Sequence, residues 1–445
     1  MDPYLGYEIA VALVALYGLI LYALHRAGKL GPDRPLSLFG PALMTKTQRG
    51  RSLLDRWGRF RRFWSVVGDL GILLAAIAMV SIVVLLLLGA IASFHISAAQ
   101  APSPQEALGL PGINPLIPLG YGIVALVIGI VLHELMHGIL ARSQNIGVKS
   151  LGILWFVVPI GAFVEQDDKE MLAASRRRRD RVAAAGVLAN FGLTVLFFFA
   201  LSGLVASAVQ PSANGVIVAL VEPNTPAFNA SLAPGDLITS VNDTPTTTVS
   251  VFEAALAKTT PNQTVALSYY VPGPGTTVTT SVVLAPSPTV AGRGYLGVGV
   301  DAVTPAELRQ VLIWPAGSDQ GPVVGTLDWL VLPLAYLEPV SGSTMAYYHL
   351  TGVWANVSPN AFWIGANLLY WLAWMNLLLG LSNALPLFPL DGGLLFRDFA
   401  ESFAHRVKKG WTDAQLDAFA GRAAALSSVV ILVLLVWQFV VPRLL

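Results

Sequence analysis

The chain has no cysteine among its 445 residues, and only 12% of them are charged. The absence of cysteine excludes disulfide bonds and thiolate metal ligands, so a metal site would have to use histidine and carboxylate side chains. The formal net charge of +1 gives no reason to expect an acidic or nucleic-acid partner. Apolar residues are abundant instead: 55% of the chain is hydrophobic and its mean hydropathy is +0.65. This composition predicts a polytopic membrane protein.

Histidine is scarce as well, with six in the chain, yet two of them lie four residues apart in an apolar run. The pentad HELMH occupies positions 133–137 within residues 117–141. Residues four apart share one face of an α-helix, so His133 and His137 can reach one ion while Glu134 lies beside them. Two core histidines and a stray carboxylate are the alternative, but an unpaired charge in hydrocarbon costs roughly 2.5 kcal/mol or more. The pattern H-E-x-x-H therefore predicts a zinc site of the metalloprotease type.

Six apolar stretches approach the length of about 20 residues that spans a bilayer as a helix. They cover residues 5–24, 67–94, 117–141, 182–209, 362–386 and 423–441. We expect the first to remain as an anchor, because its basic residues follow the apolar run instead of preceding it. The positive-inside rule places the loops rich in arginine and lysine on the cytoplasmic side, which leaves residues 210–360 external. The arginines are predicted to be topological anchors without a chemical role.

A catalytic zinc site needs a third protein ligand and an open position for water. His349 and His405 lie in predicted loops, whereas Asp391 ends an apolar run that carries no other charge. The flanking prolines and the pair Gly392-Gly393 suit an unwound segment that lines a cavity. Asp391 is therefore the favoured third ligand, and a helix-end carboxylate at the membrane interface is the alternative.

These motifs resemble those of the site-2 protease family of intramembrane zinc metalloproteases. The resemblance rests on the pentad, on the pattern N-x-x-P-x-x-P-L-D-G at residues 383–392, and on the sequence GVLAN at residues 186–190. It covers residues 117–209 and 362–398. The family's pattern in the fourth span has proline where this chain has Val187.

The resemblance implies that zinc is held by three ligands: His133, His137 and Asp391. It also implies that Glu134 is the catalytic base. For Asn190 and Asn383 two roles stay open. Each could donate a hydrogen bond to the developing oxyanion or to the substrate backbone, or each could bond neighbouring helices together, as asparagine commonly does in membrane bundles.

Residues 148–165 are rich in β-branched and aromatic side chains, and their glycines and Pro159 argue against a helix. The segment resembles the re-entrant β-hairpin that the family places beside the zinc. We expect its edge to pair with the substrate backbone by strand addition. A hairpin that only packs against the helices is the alternative, and proline at Ile153 or Leu154 is expected to discriminate between the two.

Residues 214–300 contain short β-type runs separated by proline, glycine, asparagine and threonine. Within them Pro226-Ala227, the turn at residues 232–238 and the sequence VND at residues 241–243 resemble a PDZ domain. Such domains take up an extended chain end by β-augmentation, and the resemblance implies a carboxylate-holding loop near residues 214–217, where the usual Gly-Leu-Gly-Phe-type sequence is not evident. A size filter that admits only substrates trimmed on the outside is at least as strongly indicated, so both roles stay open.

The predicted fold is a polytopic α-helical membrane protein with about six transmembrane helices, a re-entrant β-hairpin and an extramembrane PDZ-like β-rich domain. Its predicted parts are residues 1–116, two membrane helices with a basic cytoplasmic loop; 117–209, the first half of the catalytic core; 210–300, the PDZ-like domain; 301–360, a connecting region; 361–398, the second half of the core; and 399–445, a cytoplasmic loop and the last helix. In the connecting region, Asp328, Pro333 and Glu338 argue against a full span, so it touches the membrane or packs as an ordinary connection.

The favoured function is a zinc endopeptidase that hydrolyses peptide bonds within or near transmembrane segments of membrane proteins, in regulated intramembrane proteolysis. The expected cofactor is Zn²⁺, and the expected partners are the lipid bilayer and membrane-spanning substrates already cut on the external side. We expect a prokaryotic cell membrane with the PDZ-like domain outside. A non-catalytic PDZ-bearing scaffold needs neither Glu134 nor Asp391, and a zinc transporter would spread polar residues along a pathway, so both alternatives are disfavoured.

Overall fold

The structure is a computed structural model that describes residues 5–31, 34–106, 109–313, 321–335 and 339–445. The chain divides into two compact units. The first consists of Met1–Val195 and Trp371–Leu445, and the second of Leu196–Tyr370.

Fourteen α-helices occur in the described part of the chain. They are α1 (Leu5–Arg26), α2 (Arg51–Gly58), α3 (Arg61–Ala92), α4 (Leu119–Ser143), α5 (Asp168–Ala173), α6 (Arg176–Ala183), α7 (Ala185–Ala208), α8 (Pro226–Asn229), α9 (Val249–Ala257), α10 (Pro305–Val311), α11 (Pro322–Ala335), α12 (Pro359–Asn383), α13 (Asp391–Val407) and α14 (Asp413–Leu444). Short 3₁₀ helices cover Ser93–His95, Ala98–Gln100, Gly342–Tyr347 and Gly352–Trp354.

Fourteen β-strands occur in the same described residues. They are β1 (Leu36–Phe39), β2 (Ala42–Thr47), β3 (Val148–Phe156), β4 (Val158–Gln166), β5 (Val209–Pro211), β6 (Val216–Val221), β7 (Leu237–Val241), β8 (Thr244–Pro245), β9 (Thr264–Val271), β10 (Thr276–Val283), β11 (Ala285–Pro286), β12 (Gly294–Tyr295), β13 (Val298–Val300) and β14 (Tyr348–Leu350).

Five helical segments of the described chain are long and apolar enough to cross a membrane. They are Arg61–His95, Leu119–Ser143, Arg176–Ala208, Pro359–Asn383 and Asp413–Leu444. A backbone that lies in hydrocarbon must satisfy its own hydrogen bonds, which an uninterrupted helix does. The five segments coincide with five of the six predicted spans. The remaining predicted span is helix α1, of which Val11–Arg26 is a shorter apolar helix.

The first unit contains a four-stranded antiparallel sheet in the order β1-β2-β3-β4. Strands β3 and β4 form the hairpin predicted for residues 148–165, with the turn at Val157, whose φ is 63°. Strand β2 pairs with the other side of β3, from Leu43↔Trp155 to Thr47↔Leu151. Because β3 is paired on both sides, β4 is the edge strand of the hairpin.

Helix α4 is held against this sheet by close contacts at small residues. A Cβ atom on Gly138 would lie 2.7 Å from Leu54 Cδ1 and 3.2 Å from Val164 Cγ1, so only glycine allows α2, α4 and β4 to approach this closely. The buried apolar cluster at this junction consists of Leu54, Trp64, Leu140, Ala141, Ile146, Val148, Val164, Val182 and Ala185. The packing fixes the face of α4 on which the histidines of the pentad lie.

The second unit contains the β-rich region that the sequence predicts. Its sheet has the order β10-β9-β7-β6-β13, with β8 paired to β7. The core is apolar and includes Val218, Ile238, Phe252, Leu267 and Leu296. Strand β6 pairs with β7 on one side and with β13 on the other. Strand β6 therefore lies inside the sheet, whose edge strands are β10 and β13, and the role of residues 214–217 in peptide capture stays a prediction.

The connecting region of residues 301–360 contains α10, α11 and β14. Strand β14 pairs with β5, which brings the chain entering and leaving the β-rich region together. Helix α11 has 14 residues with Pro333 inside it, and it is not among the segments long enough to span a membrane in the described chain. Glu338, one of the residues that argued against a full span, lies outside the described residues.

Candidate metal centre

The two histidines of the pentad lie one turn apart on α4 and face the same point. Their Nε2 atoms are 3.2 Å apart, their ring centroids are 4.8 Å apart, and each residue is 7% exposed. The spacing of four residues places both rings on the face of α4 that packs against the rest of the first unit. The sequence prediction that these imidazoles converge agrees with this geometry.

Asp391 is the first residue of α13 and reaches the same point from the other end of the chain. Its Oδ2 atom lies 3.4 Å from His133 Nε2 and 3.3 Å from His137 Nε2. The two residues that follow leave no space for side chains: a Cβ on Gly392 would lie 2.2 Å from the Ala384 carbonyl oxygen, and one on Gly393 would lie 2.7 Å from the backbone of residue 387. The glycine pair thus lets the start of α13 turn the carboxylate towards the histidines.

The three donor atoms fit a tetrahedral zinc ion. Bonds of about 2.0–2.1 Å at tetrahedral angles place ligand atoms about 3.3 Å apart. The three distances between the donor atoms of this cluster are 3.2, 3.3 and 3.4 Å. Asp391 Oδ2 is also buried without a hydrogen-bond donor. In the described part of the chain, this is the one group of three or more histidine, cysteine, aspartate or glutamate side chains that could hold a metal ion.

The other ring nitrogen of each histidine has a polar neighbour. His137 Nδ1 lies 2.7 Å from the carbonyl oxygen of Val182. This oxygen has no hydrogen to donate, so it can act only as a hydrogen-bond acceptor. His133 Nδ1 lies 3.1 Å from Asn190 Nδ2, and Asn190 is completely buried. A hydrogen on Nδ1 leaves the Nε2 lone pair of a neutral imidazole available to a metal, so the Val182 contact suits a ligand role for His137.

Glu134 points from α4 to the edge of the hairpin. Its Oε2 atom accepts a hydrogen bond of 3.1 Å from the backbone N–H of Val164 on β4. The side chain is half-buried, in contrast to the neighbouring histidines. Glu134 thus follows a candidate metal ligand directly in the sequence and is bonded to the backbone of strand β4.

The two asparagines differ in their surroundings. Asn190 lies against His133, as described above. Asn383 is half-buried and donates a hydrogen bond of 3.0 Å to the carbonyl oxygen of Leu379 in its own helix. The role of each as a donor to substrate stays a prediction.

Several arginines predicted to be only topological anchors also form ion pairs within the first unit. The pairs are Arg177 and Arg181 with Asp69, Arg179 with Asp398, and Arg176 with Glu401. They connect α6 to α3 and to α13, the helix that begins at Asp391. These contacts join residues more than 100 positions apart, so the local sequence pattern could not reveal them.

Comparison with known proteins agrees with this site. Residues 121–416, more than half of the chain, match the model of peptidase family M50. The "Uncharacterized protein MJ0971" of Methanocaldococcus jannaschii is 24% identical over 406 residues, which are 90% of this chain and 88% of that protein. The "Putative zinc metalloprotease all3971" of Nostoc sp. is 28% identical over 306 residues, 61% of this chain and 83% of that protein.

Among solved structures, the PDZ domain of an SdrC-like protein from Listeria monocytogenes is 21% identical and covers 22% of this chain and 97% of that domain. Its TM-score with this chain is 0.19. The family match extends over nearly all of α4 and all of α7, α12 and α13, the helices that carry the candidate metal cluster and its neighbours. The chain therefore belongs to peptidase family M50, the site-2 protease family, and is a membrane metalloprotease of that type.

Proposed function

We propose that the protein is an intramembrane zinc endopeptidase that cuts peptide bonds within or near the transmembrane segments of membrane proteins. The observation that carries the proposal is the convergence of His133 Nε2, His137 Nε2 and Asp391 Oδ2 at the ligand spacing of zinc. His133 and His137 belong to a helix apolar enough to cross a membrane, and Asp391 follows another such helix, which ends at Asn383. Regulated intramembrane proteolysis is the biological process that this activity serves in the proposal.

Each residue of the site has a role in the proposed reaction. His133, His137 and Asp391 would hold the zinc ion, which when bound supplies Lewis-acid polarisation of a peptide carbonyl and activation of water. Glu134 Oε accepts the proton of the attacking water and delivers it to the nitrogen of the leaving amine. Asn383 or the amide nitrogen of Asn190 could donate a hydrogen bond to the oxyanion.

The hairpin supports delivery of an extended substrate beside Glu134. On an antiparallel strand, the N–H groups of alternate residues point to the same side. Since the Val164 N–H is directed to Glu134, the N–H of Ala162 points to the same free edge of β4. A transmembrane helix must unwind before its peptide bonds can be attacked, and pairing with this edge compensates the backbone hydrogen bonds lost on unwinding. Ile153 and Leu154, where proline was expected to test this, lie instead on the doubly paired β3.

The arrangement of the membrane segments in the proposal follows the basic loops. The positive-inside rule places these loops in the cytoplasm and the β-rich region outside. Substrates already trimmed on that side, in a prokaryotic cell membrane, are the expected partners. Neither the scaffold nor the transporter alternative is favoured, because the candidate ligands of the described chain concentrate in one cluster.

The test is cleavage of a panel of single-span peptides by the purified protein in liposomes, with and without a zinc chelator. The intact protein is expected to hold zinc and to cut at least one peptide, and the chelator should stop the reaction. Glu134→Gln should slow cleavage at least about 100-fold, because proton transfer is lost, while the zinc content stays unchanged.

Glu170→Gln is the matched control, since Glu170 accepts a hydrogen bond from the Gly147 N–H and a glutamine oxygen can do the same. Cleavage by Glu134→Gln at the rate of the intact protein would refute the assigned base. Zinc uptake into the liposomes without cleavage of any peptide would support the transporter instead.

A further inference from the structure

The completely buried amide of Asn190 raises a question that the zinc site alone does not answer. Asn190 Nδ2 lies 3.1 Å from His133 Nδ1, while Asn190 Oδ1 is buried with no hydrogen-bond partner. A buried amide oxygen without a donor costs free energy on the order of 1–3 kcal/mol. A half-turn of the amide exchanges its oxygen and nitrogen, so the same side chain can present either atom to the imidazole.

The direction of this hydrogen bond follows from the position of His133 Nε2. That atom lies 3.2 Å from His137 Nε2 and 3.4 Å from Asp391 Oδ2, so Nε2 is the ligand atom of this ring. A neutral imidazole that gives its Nε2 lone pair to a metal carries its hydrogen on Nδ1. An N–H group faces Asn190 in that state, and only the amide oxygen can accept from it.

We infer that Asn190 is a positioning residue whose side-chain oxygen accepts the Nδ1 hydrogen of His133 and so orients this ligand towards zinc. The inference rests on the proposed function, because it requires the metal. It deepens that function by assigning Asn190 to ligand geometry and not primarily to the oxyanion. The same arrangement is already present at His137, whose Nδ1 faces the Val182 carbonyl oxygen at 2.7 Å. Both imidazoles then have a fixed outer acceptor, one from the backbone and one from a side chain.

The acceptor role and the donor role respond differently to aspartate. Asn190→Asp keeps an oxygen of nearly the same size at the same place and removes every N–H donor. Asn190→Leu removes both acceptor and donor at similar volume. If Asn190 orients His133, aspartate should preserve zinc binding and leucine should weaken it. If Asn190 serves only as a donor to substrate, neither change should alter zinc binding.

The experiment measures the zinc dissociation constant of the full-length protein in detergent by competition with a chelator, without any substrate. Losing the outer partner of a metal-binding histidine typically weakens binding by 10–100-fold. We expect the zinc dissociation constant of Asn190→Leu to rise by a factor of that order. The dissociation constant of Asn190→Asp should be equal to or lower than that of the intact protein. The visible absorption of the Co²⁺ form should change in Asn190→Leu and keep its tetrahedral pattern in Asn190→Asp.

Asn376→Leu is the control for a buried asparagine in a membrane helix, because Asn376 is also completely buried but donates to Leu372 in its own helix. The zinc dissociation constant of Asn376→Leu should equal that of the intact protein. Asn190→Ala removes the acceptor without added bulk and replaces leucine if the latter does not fold. Equal zinc binding by the intact protein and by the folded leucine or alanine variant would overturn the inference, and so would equal weakening by aspartate and leucine. Failure of the intact protein itself to bind zinc would overturn the proposed function instead.

Discussion

The imidazole of His133 is held between two residues of α7 that lie one turn apart, Gly186 and Asn190. A Cβ atom on Gly186 would lie 2.2 Å from His133 Cε1 and 2.3 Å from its Nε2, so α7 passes directly against the ring. Asn190 contacts the ring at Nδ1. One residue supplies space and the other a polar contact, and both lie on the same face of the helix. The motif at residues 186–190 therefore contacts a candidate metal ligand that is carried by a different helix.

Gly186→Ala should displace the His133 ring and weaken zinc binding, because a methyl group cannot share the volume that the imidazole occupies. Alanine is otherwise the better helix former by roughly 0.5–1 kcal/mol, so a loss of helix stability is not the expected cause. We expect the zinc dissociation constant to rise about 10-fold or more, the order seen when a ligand loses its support. Chelator competition measures it.

Gly192→Ala is the matched control for this substitution. Gly192 lies on the same helix, and a Cβ atom there would have no atom within 4 Å. Its zinc constant should equal that of the intact protein, with an equal or higher melting temperature. Unchanged zinc binding in Gly186→Ala would show that the His133 ring can move aside without loss, and it would contradict the prediction that zinc binding needs glycine at this position.

The candidate ligands could be selected from the sequence because the chemistry of zinc restricts them to a few residue types. With no cysteine and six histidines, the pentad and Asp391 were the remaining candidates, and the structure brings all three donors together. The contact between His133 and Gly186 could not be predicted in this way. It depends on which face of α7 is turned to α4, and both helices are apolar on all sides, so no hydrophobic pattern indicates that face.

Among the secondary-structure elements, the hairpin also combines features that the local sequence predicts with a contact that it does not predict. Its strands follow from local composition, and β3 and β4 pair as predicted. The pairing of β2 with β3 brings together Thr45 and Ile153, which are 108 residues apart. No feature of the β2 sequence predicts which strand it pairs with. That pairing decides which edge of the hairpin is unpaired, because it covers β3 and leaves β4 as the edge strand that is bonded to Glu134.

Ala162→Pro tests whether the free edge of β4 receives the substrate. Proline removes the N–H of Ala162, which points away from β3, and so it should leave the pairing of β3 with β4 in place. We expect zinc binding to remain and the cleavage of helical single-span peptides to fall about 10-fold or more, through the loss of at least one backbone hydrogen bond to the substrate.

Ala162→Val keeps the N–H with a larger side chain and is the control, and it should cut the same peptides at close to the original rate. Zinc content and melting temperature are measured for both variants. Unchanged cleavage by the folded proline variant would favour the alternative, in which the hairpin only packs against the helices.

At the scale of the whole molecule, the β-rich region is an insertion between the two halves of the metalloprotease. The change from long apolar runs to short β-type runs near residue 210 predicts it, since no other part of the chain has that pattern over a similar length. The strand order could not be predicted, because β13 is added beside β6 from a position about 80 residues later. If this region captures a chain end by strand addition, the candidate edges are β10 and β13.

The chain enters and leaves the inserted sheet at neighbouring positions, which allows a direct test of the role of the sheet. The Asp301 N–H donates to the Ile217 carbonyl oxygen at 2.9 Å, so residues 218–300 can be excised and replaced by a short glycine linker. The excision leaves β5, β14 and all the residues of the metal cluster in the chain. Zinc binding should be unchanged, because no ligand and no neighbour of a ligand is removed.

The two roles predicted for the region then give opposite results with a pair of substrates that share one transmembrane segment, one with a folded external domain and one trimmed. A size filter predicts that the excised protein cuts both, whereas the intact protein cuts only the trimmed form. A peptide-binding role predicts that the excised protein loses cleavage of the trimmed form. We expect the first result. The physical reason is that a size filter rejects a folded external domain by steric exclusion, without any specific contact. Removing the β-rich region should then be sufficient to admit the untrimmed substrate.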